Sequence, residues 1–434
     1  MSGATVGSLG LIVLLLLLLI GTPIGVALGL VGLVGLTFTL GLEPALIKSA
    51  VLMFETMTRY ELGTLPLFIL MAHLCFAADA SRDFFNVAAR FLGHRRGGLA
   101  YASIAGCAGF GSINGSSLAT TATIGLVAVP EMRSRGYSDA LATGSVAAGG
   151  TLGQMIPPSG ALIVYGIISE QSIGSLFKAA LVPGITQMLS YMLVIALLVT
   201  WRPGIAPSLP RSSWPERMAA LRRMLDIGLL VLVVTGGIVI GWVTPSEAAA
   251  VGAAGACLIC LFRRRLNLTT LHRALADTLK TSGLIYLVII GALLFAAFIS
   301  VTGITEAISH GIADLGFGPV GTMLLVALFL LVVGSVLDGL ALMLLTTPIL
   351  LPVVADLGLS PVWFGIFLVR AMEIGFVHPP MGMNLYVIQG VAPDVPLSRV
   401  FKGVLPFLMA DLVHLVLLVV FPVIAMGLLR WMGP

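Results

Sequence analysis

Asn114, Ser116, Ser117 and Thr120 place four oxygen-bearing neutral side chains at one short apex, within NGSSLAT. Asp338, followed by Thr346 and Thr347, repeats the theme in LDGLALMLLTT with a carboxylate added. Oxygen ligands of low total charge suit a hard monovalent cation such as sodium. Asp338 is the sharper signal, because a carboxylate in an apolar membrane run is costly and functional by default. It also opens an Asp-Gly pair, in which an aspartate can simply satisfy a turn. For the serines and Thr120 the plain alternative is packing, since small polar residues lie between membrane helices.

Two backbone breaks accompany these apices. The stretch Gly149–Pro158 interrupts a long apolar run at Pro157-Pro158, and Gly375–Asn384 is interrupted at Pro379-Pro380. Each break frees carbonyls that an unbroken helix would use, and such interruptions point to a transporter's binding site. Arg370, Glu373 and His378 put charge on the outer half of the second broken run. Arg370 and Glu373, three positions apart, can neutralise each other. The arginine can equally hold a substrate carboxylate as a bidentate partner. Glu247, after Thr244-Pro245, fits the first turn of a helix, where a carboxylate is favoured.

The composition requires a membrane around these groups. Of 434 residues 58% are hydrophobic and 10% charged, against about 25% charged in a soluble domain. An all-α polytopic membrane protein follows, and a net charge of +4 gives no sign of nucleic acid. Cys257 and Cys260 form a C-x2-C with no second pair or nearby histidine, so burial explains them better than a metal does. Walker A, H-E-x-x-H and G-x-S-x-G sequences are absent. Neither an enzyme nor an organic cofactor is expected, and coupling ions are the only inorganic partners.

Basic residues set the expected topology, because Lys and Arg in loops mark the cytoplasmic side. No Lys or Arg precedes Lys48, so the first apolar run reads as a span with its N-terminus outside. Spans fall at residues 5–20, 24–41 and 62–80, with an interfacial amphipathic helix over 44–61. Residues near 98–134 are flanked by arginines at both ends, which reads as a re-entrant hairpin with Asn114–Ser117 at its tip, the alternative being two ordinary short spans. Spans at 138–168 and 181–201 close the first half, and residues 202–226 form a basic cytoplasmic linker. Spans at 227–242, 246–262 and 283–300 open the second half. Residues near 320–355 lie in a segment without Lys or Arg and read as a second hairpin, entering from outside, with Asp338 at its tip. Spans at 361–390 and 404–428 finish the chain and leave both termini outside.

The halves match at an offset of 222 residues: Pro157-Pro158 falls on Pro379-Pro380, Gly153 on Gly375, Thr22-Pro23 on Thr244-Pro245, and Ser116 on Asp338. Residues 1–201 and 227–434 then each hold five spans and one hairpin, and the odd number inverts the second copy. Inverted repeats with broken helices meeting at the midplane are a secondary-transporter architecture.

The segments NGSSLAT, GGTLGQMIPPSGALIVYG, VTPSEAAAVGA, LDGLALMLLTTPILLPV and EIGFVHPPMGMNLYVI resemble the large membrane subunit of TRAP (tripartite ATP-independent periplasmic) transporters over nearly the whole chain. The resemblance implies sodium-coupled uptake of organic acids across the bacterial inner membrane. A transport domain bearing the hairpins would move like an elevator against a scaffold. It implies two protein partners, a periplasmic substrate-binding protein and a small membrane subunit on a separate chain; the outside, where the charge pattern puts both termini, is then the periplasm. It puts sodium at Asn114, Ser116, Ser117 and Thr120 with Gly150, Thr151 and Pro157 of the first break, and at Asp338 with Gly375, Pro379 and Asn384 of the second. Arg370, Ser159 and His378 are the candidates to meet a carboxylate substrate. His378 stands where the family often has threonine, and Arg370 is a charge the family pattern does not lead one to expect. A stand-alone sodium/anion symporter of related inverted-repeat fold is the alternative.

Overall fold

The structure is a computed structural model that describes residues 3–313, 316–335, 337–379 and 381–433. Among these residues every regular element is a helix. The first half runs α1 Gly3–Leu19, α2 Ile24–Leu40, α3 Leu42–Thr58, α4 Thr64–Ala77, α5 Ala80–Leu92, α6 Gly98–Asn114, α7 Ser117–Ser134, α8 Asp139–Met155, α9 Gly160–Ser169 and α10 Ile173–Trp201. The second runs α11 Trp214–Val231, α12 Gly237–Ile240, α13 Pro245–Phe262, α14 Leu268–Thr302, α15 Ile304–Ala313, α16 Gly318–Gly334, α17 Gly339–Asp356, α18 Pro361–Val377, α19 Met383–Val391, α20 Leu397–Val420 and α21 Val423–Met432. Shifting α7 or α8 by 222 positions reproduces both ends of α17 or α18.

Eight helical stretches among the described residues are long and apolar enough to cross a membrane, and four shorter apolar helices join them. In lipid every backbone polar group needs an internal partner, so helices are the form these apolar runs can take. α14 spans 35 residues, roughly 52 Å at 1.5 Å per residue, so it reaches well beyond a hydrocarbon core of about 30 Å.

Several boundaries differ from expectation; α10, expected over 181–201, starts at Ile173. The linker expected over 202–226 is partly helix: α11 starts at Trp214, where Ser213 and Glu216 form a capping box and Pro215 takes the first turn. The span expected to begin at residue 283 begins at Leu268. The span expected over 404–428 is two helices, α20 and α21, parted at Phe421-Pro422.

α2 packs along α14 and α4 along α13, while α6, α7, α8, α18 and α20 gather around one another. Small residues permit the closest approach: a Cβ on Gly403 of α20 would collide with the Ala140 carbonyl of α8. α8 is buried continuously from Leu141 to Met155, and α18 from Val362 to Val377. The two helices that lead into the breaks are thus among the most enclosed in the molecule, as irregular backbone at membrane depth requires.

Candidate functional site

The first apex is a tight reversal between α6 and α7. Gly115 caps α6 in the left-handed region at φ +63°, and its N–H donates to Gly111 O at 2.9 Å. Ser116 turns to extended backbone, and its Oγ accepts from Ala119 N at 3.4 Å to start α7. Asn114 Nδ2 donates to Thr120 Oγ1 at 2.9 Å, closing a ring of polar atoms across the turn. The apex rests on the first break, where Gly160 N donates to Gly115 O at 3.3 Å. There α8 stops at Met155, the Pro157-Pro158 bond is cis, and Ser159 caps α9 by accepting from Leu162 N at 3.3 Å. A Cβ on Gly115 would lie 2.6 Å from Pro158 O, so backbone meets backbone here only because residue 115 has no side chain.

The second apex has the same logic. Asp338, half-buried, caps α17, and its Oδ2 accepts from Leu340 N at 3.1 Å. Gly375 of α18 lies against the end of α16, where an added Cβ would be 2.9 Å from Gly334 O. Thr346 and Thr347 turn away from this apex and bond back to Leu342 O and Met343 O at 2.7 and 2.6 Å. α18 ends at Val377, His378 caps it in extended backbone, and Pro379 follows in a turn; Pro380 lies outside the described residues. His378 Nδ1 is buried without a hydrogen-bond partner.

Asn384 joins the two halves. It is fully buried at the start of α19, and its Nδ2 donates to Ser117 Oγ at 2.9 Å and to Ala147 O at 3.0 Å. The amide thus ties the second break to the first apex and to α8.

Gly150 packs against the start of α7, where an added Cβ would meet Thr121 and, at 3.2 Å, Ser117 O. The Thr151 hydroxyl points to α10: it bonds to Ala148 O at 2.7 Å and Tyr191 OH at 2.9 Å and accepts from Gln187 Nε2 at 3.0 Å. Arg370, expected at the substrate, is 0% exposed and enclosed between two carboxylates. It donates to Glu373 Oε2 at 2.9 Å and to Asp411 on α20. The pairing with Glu373 matches the neutralising alternative; Asp411 adds a second carboxylate, and Arg370 Nε is left without a partner. Sequence reasoning did not single out Asp411, His414, Gln187 or Tyr191. The signal for Asp411 was present, a carboxylate in the apolar run VLPFLMADLVHLVLLV.

Charge at the bases of these elements is paired. Arg133, at the end of α7, meets Asp139 at 2.9 Å and Asp394 in the loop after α19, and Arg399 meets Asp139 at 3.1 Å. Arg133 beside Asp394 holds that carboxyl below the usual carboxylate range. Arg263, just past α13, contacts Asp83 and Asp226 at 2.6 Å each and so clamps α5 and α11 to α13.

The family model described as tripartite ATP-independent periplasmic transporter, DctM component, matches residues 11–424. The C4-dicarboxylate TRAP transporter large permease protein DctM of Pseudomonas aeruginosa is 36% identical over 404 residues, covering 93% of this chain and 94% of the relative. The sialic acid TRAP transporter large permease protein SiaM of Vibrio cholerae is 32% identical over 423 residues, covering 97% and 96%. The crystal structure of the Alcanivorax borkumensis YdaH transporter, 15% identical, superposes with a TM-score of 0.59 over 91% of this chain and 90% of that one, which is a likeness of fold. The relatives are named as permeases, so the role is transport rather than catalysis. With its helix-rich, multiply spanning architecture and a family match along nearly its whole length, the chain belongs to the DctM component family of tripartite ATP-independent periplasmic transporters.

Proposed function

We propose that this chain is the large permease subunit of a sodium-coupled transporter that imports organic acids. A periplasmic binding protein delivers the substrate, and a small membrane subunit on a separate chain completes the assembly. The single observation that carries the reading is the junction at Asn384, where the second break bonds to the apex of the first hairpin. The first apex, tied by Asn384 to the second break, offers neutral oxygens beside carbonyls freed at the first break, a donor set that suits sodium. Asn114, Ser116, Ser117 and Thr120 serve one ion, and Asp338 with the turn around Gly375–Pro379 serves another. The relatives' names supply the substrate class, since C4-dicarboxylates and sialic acid share the carboxylate.

The mechanism we favour is an elevator on two inverted repeats. The recurrence of helix ends at 222 residues supports the repeat, and five spans per half would invert the second copy. The α2–α14 and α4–α13 pairs suit a scaffold, and the group around α6, α7, α8, α18 and α20 suits a moving body. Ser159 and His378, at the two breaks, remain the candidates to meet the substrate.

Uptake into proteoliposomes holding this chain and its small subunit tests the reading, with an imposed sodium gradient and with or without loaded binding protein. Uptake that needs both supports it. Uptake without the binding protein favours a stand-alone symporter, and uptake indifferent to sodium refutes the ion assignment.

A further inference from the structure

Arg82 and Asn86, one turn apart on α5, line two cavities of about 590 and 500 Å³, within the size range of small-molecule sites. Because both residues line both cavities, the two form one trough along α5. The facing walls are the segment between α10 and α11, which brings Arg211, and α11 itself, which brings Arg222 and Arg223. These walls are fixed. Leu209 N donates to Gly93 O at 3.0 Å, two residues before Arg211, and Arg263 clamps Asp83 of α5 to Asp226 of α11.

The trough holds more cation than its own carboxylates match. Around the larger cavity four arginines meet two glutamates, and those glutamates already pair with Arg135 at 3.1 Å and Arg90 at 3.7 Å. Around the other cavity five arginines meet three aspartates, whose ion pairs go to Arg263 and Arg265. Arg82, Arg211 and Arg222 are exposed and enter no ion pair among the described residues. Guanidinium forks bind phosphoryl and carboxylate oxygens through paired, charge-assisted hydrogen bonds. A phosphoryl group brings about two negative charges and three acceptor oxygens on one atom, which suits arginines arriving from three segments.

Basic groups beside a membrane can also meet lipid headgroups, and the geometry of α11 separates the two sources. Trp214, Met218, Leu221 and Leu225 are exposed and share one stripe of α11, the side suited to lipid. Glu216 and Arg223 line the trough from about half a turn away, at 3.6 residues per turn. The trough therefore lies on the side of α11 turned from lipid.

We propose that this trough binds a soluble anion bearing phosphoryl groups, held by Arg82 together with Arg211 and Arg222, on the side where the arginine-rich loops gather. The bound anion joins α5, which leads into the first apex, to the start of the second half. This goes beyond the transport reading and does not rest on the sodium assignment.

Equilibrium dialysis of labelled inorganic pyrophosphate tests the proposal, with the full chain in phosphatidylcholine nanodiscs at fixed ionic strength and without divalent metal. Saturable binding is expected, weakened about tenfold or more in Arg82→Gln and in the double variant Arg211→Gln with Arg222→Gln. It should change less than about twofold in Arg95→Gln, which removes an exposed arginine that lines neither cavity. No saturable binding in wild type, or equal weakening in Arg95→Gln, overturns the site. Native mass spectra with added phosphatidylglycerol separate the sources. Equal lipid retention by wild type and Arg82→Gln supports a soluble ligand, and retention lost in Arg82→Gln assigns the trough to headgroups and overturns the proposal.

Discussion

Asn384 Nδ2 lies 2.9 Å from Ser117 Oγ, a hydrogen bond between residues 267 positions apart. The same amide donates to Ala147 O at 3.0 Å, so one side chain holds α7, α8 and α19 in register. All three groups are fully or almost fully buried, where an unpaired polar atom costs about 1–3 kcal/mol. Any displacement of the second break is therefore felt at the first apex.

Gly115→Ala should impair the first apex more than a glycine substitution elsewhere at positive φ. Gly136 provides the comparison: it too has positive φ, but its added Cβ would meet only Pro207 at 3.7 Å, whereas that of Gly115 would lie 2.6 Å from Pro158 O. Both variants carry backbone strain of about 1–3 kcal/mol, and only Gly115→Ala must also push the first break away. Uptake should fall at least tenfold in Gly115→Ala and less than twofold in Gly136→Ala, at matched expression.

Arg370→Gln should cost about 3–5 kcal/mol, the usual penalty for removing one partner of a buried ion pair. Both carboxylates at 0% exposure would lose their shared cation. Adding Asp411→Asn should recover part of the loss. Unfolding midpoints in detergent for the two single variants and the double variant measure this directly.

Thr244→Ala should cost about 1 kcal/mol without touching either apex. Thr244 Oγ1 accepts from Glu247 N at 3.3 Å, and Glu247 Oε2 accepts from Thr244 N at 2.8 Å, a reciprocal cap on α13. A lower unfolding midpoint with unchanged half-saturating sodium is the expected pair of results.

The tie between Arg133 and Asp394 should respond to acid. Arg133 lowers the Asp394 carboxyl in the folded chain, so the tie contributes fully above the ordinary aspartate value of about 3.9. It is lost as pH falls through the lowered folded value. Hydrogen exchange in residues 392–396 should accelerate on acidification below about pH 4 once corrected for intrinsic rates. Arg133→Gln should show the faster exchange already at neutral pH.

Local chemistry was the legible part of this sequence. The apices, the proline breaks and the Thr244–Glu247 cap each depend on neighbours within a few positions, and the helix ends fall close to where those residues put them. The start of α11 was equally readable from Ser213, Pro215 and Glu216, but the surrounding arginines made the whole stretch resemble a linker. Pairings such as Ser117 with Asn384, or Arg370 with Asp411, are tertiary and leave no trace in spacing. The physical rule that drew attention to Asp338 applies equally to Asp411. Applied to every intramembrane carboxylate, it would have given Arg370 a second partner.

The most direct test of the sodium assignment is uptake against sodium concentration, with saturating loaded binding protein, for wild type, Ser117→Ala and Asn384→Ala. If the junction of the two halves builds the ion sites, half-saturating sodium should rise about tenfold or more in both variants, equivalent to about 1.4 kcal/mol. Variants that keep the wild-type sodium dependence while losing only stability would show that the Ser117–Asn384 bond is structural and that sodium is bound elsewhere.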